Sequence, residues 1–429
     1  MSNKVLIDNI NPNNLPILFD LPLTKIKSID YIISEADSYP RFNLGFHHYV
    51  HQNKSKLEVL KEFNEKKKVY LVMNPFEVNV EDYDKDIMTV VSDNLKTSII
   101  SEGFFKAWEL QMTFDLLQNK SQNIAYLAEG PGSFIQSFHQ FRSYYENKKD
   151  NHYAMTLHDP KDGSYVPEID PRIIKEYSNL EVMKTDKKNN GDVRDPDNIE
   201  SFMKQFKIES KMDLVIADGE FAWNNENTQE QEATPLILGE IYGAMRLLKK
   251  DGNFVVTAFE TYTDTMLNVL TILSDCFKNI SIYKPLTSKG SSSEKFIVCQ
   301  GYKQDKKYIK LFDKILNEIK KDKNNNLSKV YIDEMIGFRV ALAKANNDLA
   351  HKQLKAINDI TDFIDSGDYH GDVYIERNSD QRDTNEFWLK MYFPSQKEYI
   401  NQKSIIKSLS KQMLERNLSR IDKMIKLIN

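Results

Sequence analysis

Apolar residues recur every fourth position between residues 97 and 117, where Ile100, Phe104, Trp108, Met112 and Leu116 share one face. That spacing predicts a helix. The pattern then breaks into short apolar runs at 124–128, 153–157, 180–183, 212–217 (MDLVIA) and 254–259, each reading as a strand. Helical spacing returns between them, at 133 to about 145, 232–248 and 264–277. Alternation of this kind predicts an α/β fold with a mostly parallel sheet covered by helices on both faces. Two further strands, 280–283 and 296–300, have only a loop between them. They should pair antiparallel, leaving one reversed strand in a mixed sheet.

Outside this block the pattern is simpler. Residues 68–73 (KVYLVM), halted by Asn74-Pro75, predict a strand. Beyond Tyr302 no strand is expected. Residues 303–323 form a Lys-rich helical pattern, Asn324, Asn325 and Asn326 break it, and 404–428 read as a basic amphipathic helix packed on the core. Three regions follow: an N-terminal α/β extension (1–95), a central domain (96–302) and a mostly helical C-terminal domain (303–429).

Composition narrows the class. The 429 residues are 40% hydrophobic and 28% charged, ordinary for a soluble globular protein. The two cysteines, Cys276 and Cys299, make neither a disulfide framework nor zinc-finger spacing, so a reducing, cytoplasmic setting is expected. No run approaches the roughly 20 apolar residues of a membrane span, and no secretory signal is expected at the N-terminus. Residues 303–429 carry 24 basic and 19 acidic side chains, whereas 1–302 carry 34 and 44. A uniformly basic coat for nucleic acid is thereby excluded, but a local patch is not.

Three segments carry candidate chemistry. AEGPGSF (128–134) joins a strand to a helix, where glycines and free N–H groups let a ligand approach the backbone. A nicotinamide site would need a third glycine, which is missing. Asp218 ends the apolar strand DLVIA, a usual ligand position in open α/β sheets, although an Asp there can also cap a turn. Glu294 closes the loop KPLTSKGSSSE and opens a buried strand, which is costly without a partner. Lys106 sits in the apolar helix FFKAWEL and, taken alone, reads as a snorkelling lysine. His47, His48 and His51 could turn two imidazoles to one helix face, but no acidic third ligand accompanies them in sequence, and no metal is expected.

In this order the segments resemble the FtsJ-like (RrmJ-type) RNA 2'-O-ribose methyltransferases, over roughly residues 98–302. Within that family the chain is most similar to the mRNA cap 2'-O-methyltransferases of eukaryotes and large DNA viruses, and a viral member would work in the host cytoplasm or virion. The resemblance implies a Rossmann-like fold, S-adenosyl-L-methionine as cofactor and RNA, most simply capped mRNA, as partner. It implies a Lys-Asp-Lys-Glu tetrad, carried here by Lys106, Asp218 and Glu294, with Thr257 where the second Lys belongs. It assigns Gly130, Pro131, Gly132 and Ser133 to the methionine end of the cofactor, counts Glu129 and Phe134 among the cofactor-binding residues, and gives Asp192 to the adenine edge and Asp159 to the ribose. RNA would cross the strand ends near Lys106, Lys289 and Lys295, and the C-terminal helices could extend that path or hold a protein partner. With Thr257 in place of a lysine, the alternative is a degenerate methyltransferase that binds without turnover.

Overall fold

Among the described residues (14–80, 82–158, 166–220, 225–322 and 324–428 of the computed structural model), eight of ten strands form one sheet. In chain order the strands are β1 (Ile17–Leu21), β2 (Ile29–Ser34), β3 (Asn123–Leu127), β4 (Asn151–Met155), β5 (Leu180–Val182), β6 (Met212–Ala217), β7 (Leu248–Ala258), β8 (Asn279–Lys284), β9 (Lys295–Gln300) and β10 (Asn326–Ile332). The sheet order is β1-β8-β9-β7-β6-β3-β4-β5, and β10 pairs with β2 apart from it. Pairing is parallel from β7 through β6, β3 and β4 to β5. β9 runs against both neighbours, as its short loop to β8 requires. β1 adds a second reversed strand at the edge, outside the single one expected.

Helices α1 (Leu44–Lys54), α2 (Val59–Glu62), α3 (Lys66–Met73) and α4 (Ile87–Leu95) precede the central block. Within it lie α5 (Gly103–Thr113), α6 (Ser133–Glu146), α7 (Pro171–Glu176), α8 (Pro196–Phe206), α9 (Gln229–Leu247) and α10 (Asp264–Cys276). α11 (Lys306–Ile319), α12 (Ile336–Asp365), α13 (Gly371–Tyr392) and α14 (Tyr399–Ile428) follow. The apolar run 214–217 of β6 has a simple cause. Leu214 and Ile216 pack toward Ala107, Leu110 and Phe138, whereas Val215 and Ala217 pack toward Ile241 and Leu270, so both faces are buried.

Two expectations are corrected. Residues 68–73 are helical, as the end of α3, because Val69 is buried against Ile360 and Phe363 of α12; a short β-branched run fits either element until its neighbours are known. Strands also do not stop at Tyr302. β10 follows the asparagine run and takes its partner from β2, nearly three hundred residues earlier in the chain. α14 packs as expected: Ile406, Leu409 and Ile421 are buried and the Asn417 amide donates to the Leu18 carbonyl at 2.8 Å. No helix among the described residues is long and apolar enough to cross a membrane.

Candidate active site

The C-terminal ends of β3, β4, β6 and β7 open on one cleft of about 1420 Å³. Glu129, Gly130, Pro131 and Ser133 line it after β3, Thr156 after β4, Asp218 after β6 and Phe259 after β7. Lys106 reaches it from α5, and Lys289 with Ser291 to Glu294 from the β8–β9 loop.

The glycine turn is set by the protein's own packing. A Cβ on Gly130 would lie 1.9 Å from the Pro167 carbonyl oxygen. Gly132 caps α6 at φ +104°, where L side chains are strained, and a Cβ there would meet Ile173 at 2.5 Å. Gly132 itself does not line the cleft, and Phe134 packs inward against Phe296. The Phe134 N–H donates to Glu129 Oε1 at 3.1 Å, while Glu129 Oε2 is buried without a partner. Burial, helped by the charge of Asp218, pushes the Glu129 carboxyl up to about 8, against the pull of the Phe134 and Ile135 N–H groups. Ser133 shares a 2.5 Å hydrogen bond with Ser101.

Asp192 stands apart from the cleft lining, its carboxylate gripped by the Arg194 guanidinium at 2.8 and 2.9 Å. Its neighbour Gly191 nonetheless packs on the end of β4, where a Cβ would lie 2.1 Å from the Thr156 carbonyl oxygen. Asp159 lies outside the described residues.

At the other end, Lys106, Asp218, Thr257 and Glu294 converge. The Lys106 ammonium donates to both Glu294 oxygens, at 2.6 and 2.8 Å, and the Ser288 hydroxyl donates to Oε2 at 2.7 Å. Lys106 is therefore paired and does not snorkel, and Glu294 has the partner its position requires. Burial opposes the Lys106 charge, but Glu294 outweighs burial and the net shift is upward, so Lys106 stays a cation. The Thr257 hydroxyl donates to Asp218 Oδ1. Burial pushes Asp218 up to about 7; Thr257 and Lys106 pull it down, and the Glu294 charge pushes it further up.

The three lysines of β8, β9 and their loop have other partners. Lys284 is buried behind the loop, donating to the carbonyls of Ser292 (2.9 Å) and Glu294 (2.8 Å), and burial lowers its pKa to about 7. Lys295 is also buried and donates to the Phe259 carbonyl, so it cannot reach RNA phosphate as expected. Lys289 does line the cleft, 3.9 Å from Glu102.

Sequence reasoning missed Glu109, one helical turn beyond Lys106. This fully buried carboxylate accepts the Leu286 and Thr287 N–H groups (2.8 and 2.9 Å), the Thr287 hydroxyl and the Trp388 indole N–H. It ties the start of the Glu294 loop to α5 and α13. The signal was a second ionisable residue in the apolar run FFKAWEL.

Residues 99–302 match the model of the FtsJ-like methyltransferase family. The cap-specific mRNA (nucleoside-2'-O-)-methyltransferase 2 of Drosophila melanogaster is 27% identical over 250 residues, covering 56% of this chain and 35% of that protein. The inactive cap-specific mRNA (nucleoside-2'-O-)-methyltransferase 1B of Caenorhabditis briggsae is 30% identical over 182 residues, covering 39% of this chain and 21% of that protein. The chain thus spans between a fifth and about a third of the length of these relatives. The glycine turn, the Asp218 strand end and the Glu294 loop that meet in one cleft all lie within the residues that match the FtsJ-like methyltransferase model.

Proposed function

We propose that the chain transfers a methyl group from S-adenosyl-L-methionine to a ribose 2'-hydroxyl of RNA, at or near the mRNA 5' cap. The observation that carries this reading is the convergence of Lys106, Asp218 and Glu294 with the glycine turn on one cleft. The cleft fits the cofactor: the unpartnered Glu129 Oε2 offers an acceptor to an ammonium or hydroxyl, and α6 presents its N-terminus. When bound, the cofactor supplies an electrophilic methyl on a sulfonium.

The chain's own groups then have distinct roles. Glu129 and the first turn of α6 hold the amino-acid end. The Lys106–Glu294 pair fixes a cation beside the acceptor hydroxyl and stabilises its developing negative charge. Asp218 takes the hydroxyl proton; a carboxylate titrating near the working pH is suited to that task. The Thr257 hydroxyl occupies one Asp218 oxygen and leaves the other to the substrate. Alignment supplies much of the remaining rate. Lys289 and the solvent-facing Lys411, Arg420 and Lys423 of α14 offer phosphate contacts, and the C-terminal helices offer a protein partner a surface, in a cytoplasmic setting.

A catalytically silent RNA- or cofactor-binding module is the second reading, favoured by Thr257, which brings neither charge nor base. Methyl transfer from labelled S-adenosyl-L-methionine to capped and uncapped RNA separates the two. Labelling of capped RNA at a 2'-oxygen supports the enzyme. Cofactor and RNA binding without labelling leaves the module.

A further inference from the structure

α1 carries His47 and His51 four residues apart, so both imidazoles lie on one face of the helix. The fold brings Glu260 to that face from just beyond β7, although 209 residues separate it from His51. Donor atoms of His47, His51 and Glu260 all lie within 4.8 Å of one another. Glu260 Oε2 and His51 Nε2 are 2.9 Å apart, and the two imidazole rings are 4.4 Å apart between centroids. His51 Nδ1 is buried with no hydrogen-bond partner, so the hydrogen bonding of the trio is incomplete. Glu260 is almost wholly buried.

We propose that His47, His51 and Glu260 form a zinc-type divalent metal site that clasps α1 to the wall of the cleft. Two imidazoles and one carboxylate suit Zn²⁺ better than the all-oxygen preference of Mg²⁺ or Ca²⁺. Three protein ligands leave a fourth position for water. Zinc bonds of about 2.0–2.1 Å place tetrahedral ligands about 3.4 Å apart, so no pair need close by more than roughly 1.4 Å on loading.

Lys54 is the competitor. Its ammonium donates to Glu260 Oε1 at 2.7 Å and neutralises the carboxylate while no ion is bound. A divalent ion takes over that charge, and Lys54, which also lines the cleft, is released toward it. Phe259, adjacent to Glu260, lines the same cleft. The clasp therefore joins the N-terminal segment to the end of the strand that bears Thr257, and it does not depend on whether methyl transfer occurs.

The test is titration of tag-free, chelator-stripped full chain with Zn²⁺ by calorimetry, and with Co²⁺ by visible absorption, beside thermal melting. Wild type should bind one ion per chain, show the intense bands of tetrahedral Co²⁺ and melt at higher temperature with Zn²⁺. His51→Ala and His47→Ala should each weaken binding by more than the roughly 10–100-fold that loss of an outer-shell partner costs. His48→Ala, outside the trio, should bind as wild type, and Lys54→Met should bind more tightly. Glu260→Gln also removes the charge that balances Lys54, so His47→Ala carries the test if that variant does not fold. Absence of binding in wild type, or equal affinity in His51→Ala or His47→Ala, overturns the site.

Discussion

At the glycine turn, residues 128–134 fix one another: Glu129 accepts from Phe134, Gly132 supplies the positive φ, and Ile173 and Pro167 press on backbone without side chains. The β8–β9 loop is held from a distance instead. Glu109 of α5 grips its start, Lys284 its carbonyls, Lys106 its last carboxylate, and Gln353 of α12 donates to the Ser291 carbonyl at 2.9 Å. One end of the cleft is local geometry, and the other is a set of long-range polar contacts. The electrostatics differ in the same way. The turn holds a carboxyl pushed toward neutrality by burial, whereas the loop end holds a charged pair beside Asp218. Damage to the first should act on cofactor binding, and damage to the second on chemistry and on the seating of the loop.

The largest effect is expected at Asp218. Asp218→Ala should lower methyl transfer by roughly 10²–10⁴-fold, the usual loss of a positioned base, with S-adenosyl-L-methionine affinity changed far less. Single-turnover assays and calorimetry read the two quantities. Comparable losses in both would dissolve the distinction between the two ends.

Glu109→Leu comes next. It leaves buried N–H groups of Leu286, Thr287 and Trp388 unpaired, each costing on the order of 1–3 kcal/mol. Urea denaturation should show several kcal/mol of lost stability, whereas Glu129→Gln should lose little or gain near neutral pH.

That gain follows from proton linkage. Glu129 and Asp218 have folded pKa values of about 8 and about 7, above their unfolded values. Between about pH 4.5 and 8 the folded state holds more protons than the unfolded, so their contribution to stability falls as pH rises. Denaturation midpoints should fall across that window on this account, and the fall should flatten in Glu129→Gln/Asp218→Asn. A slope unchanged in the double variant would mean other groups dominate. The smallest effect is expected at Asp192→Asn, where the carboxylate already serves the exposed Arg194 guanidinium outside the cleft lining. Cofactor affinity should shift by no more than a few-fold, since exposed ion pairs contribute about 0–1 kcal/mol.

The difference between the two ends also explains what could be read from the chain alone. The parallel core was legible because β6 and its neighbours are apolar on both faces and alternate with helical spacing. Gly130 and Gly132 were legible as a turn, but the reason for Gly132 was not: it yields to Ile173, forty-one residues later in the chain. Lys106 looked like a surface lysine because its partner Glu294 is 188 residues away. Glu109 and Glu260 were invisible for the same reason, since a buried carboxylate declares itself only through what the fold brings to it. β1 and β10 were missed because each is a short strand whose partner comes from a remote segment. Local periodicity carries no record of such pairing.

In the proposed reaction Asp218, braced by Thr257, takes the proton of the acceptor hydroxyl. The pH dependence of single-turnover methyl transfer to capped RNA tests it most directly. The rate should rise with pH through an apparent pKa near 7 and then level, with the rise absent in Asp218→Asn. A rate that is flat across that range in the wild-type chain, or no transfer while cofactor and RNA are both bound, would contradict it.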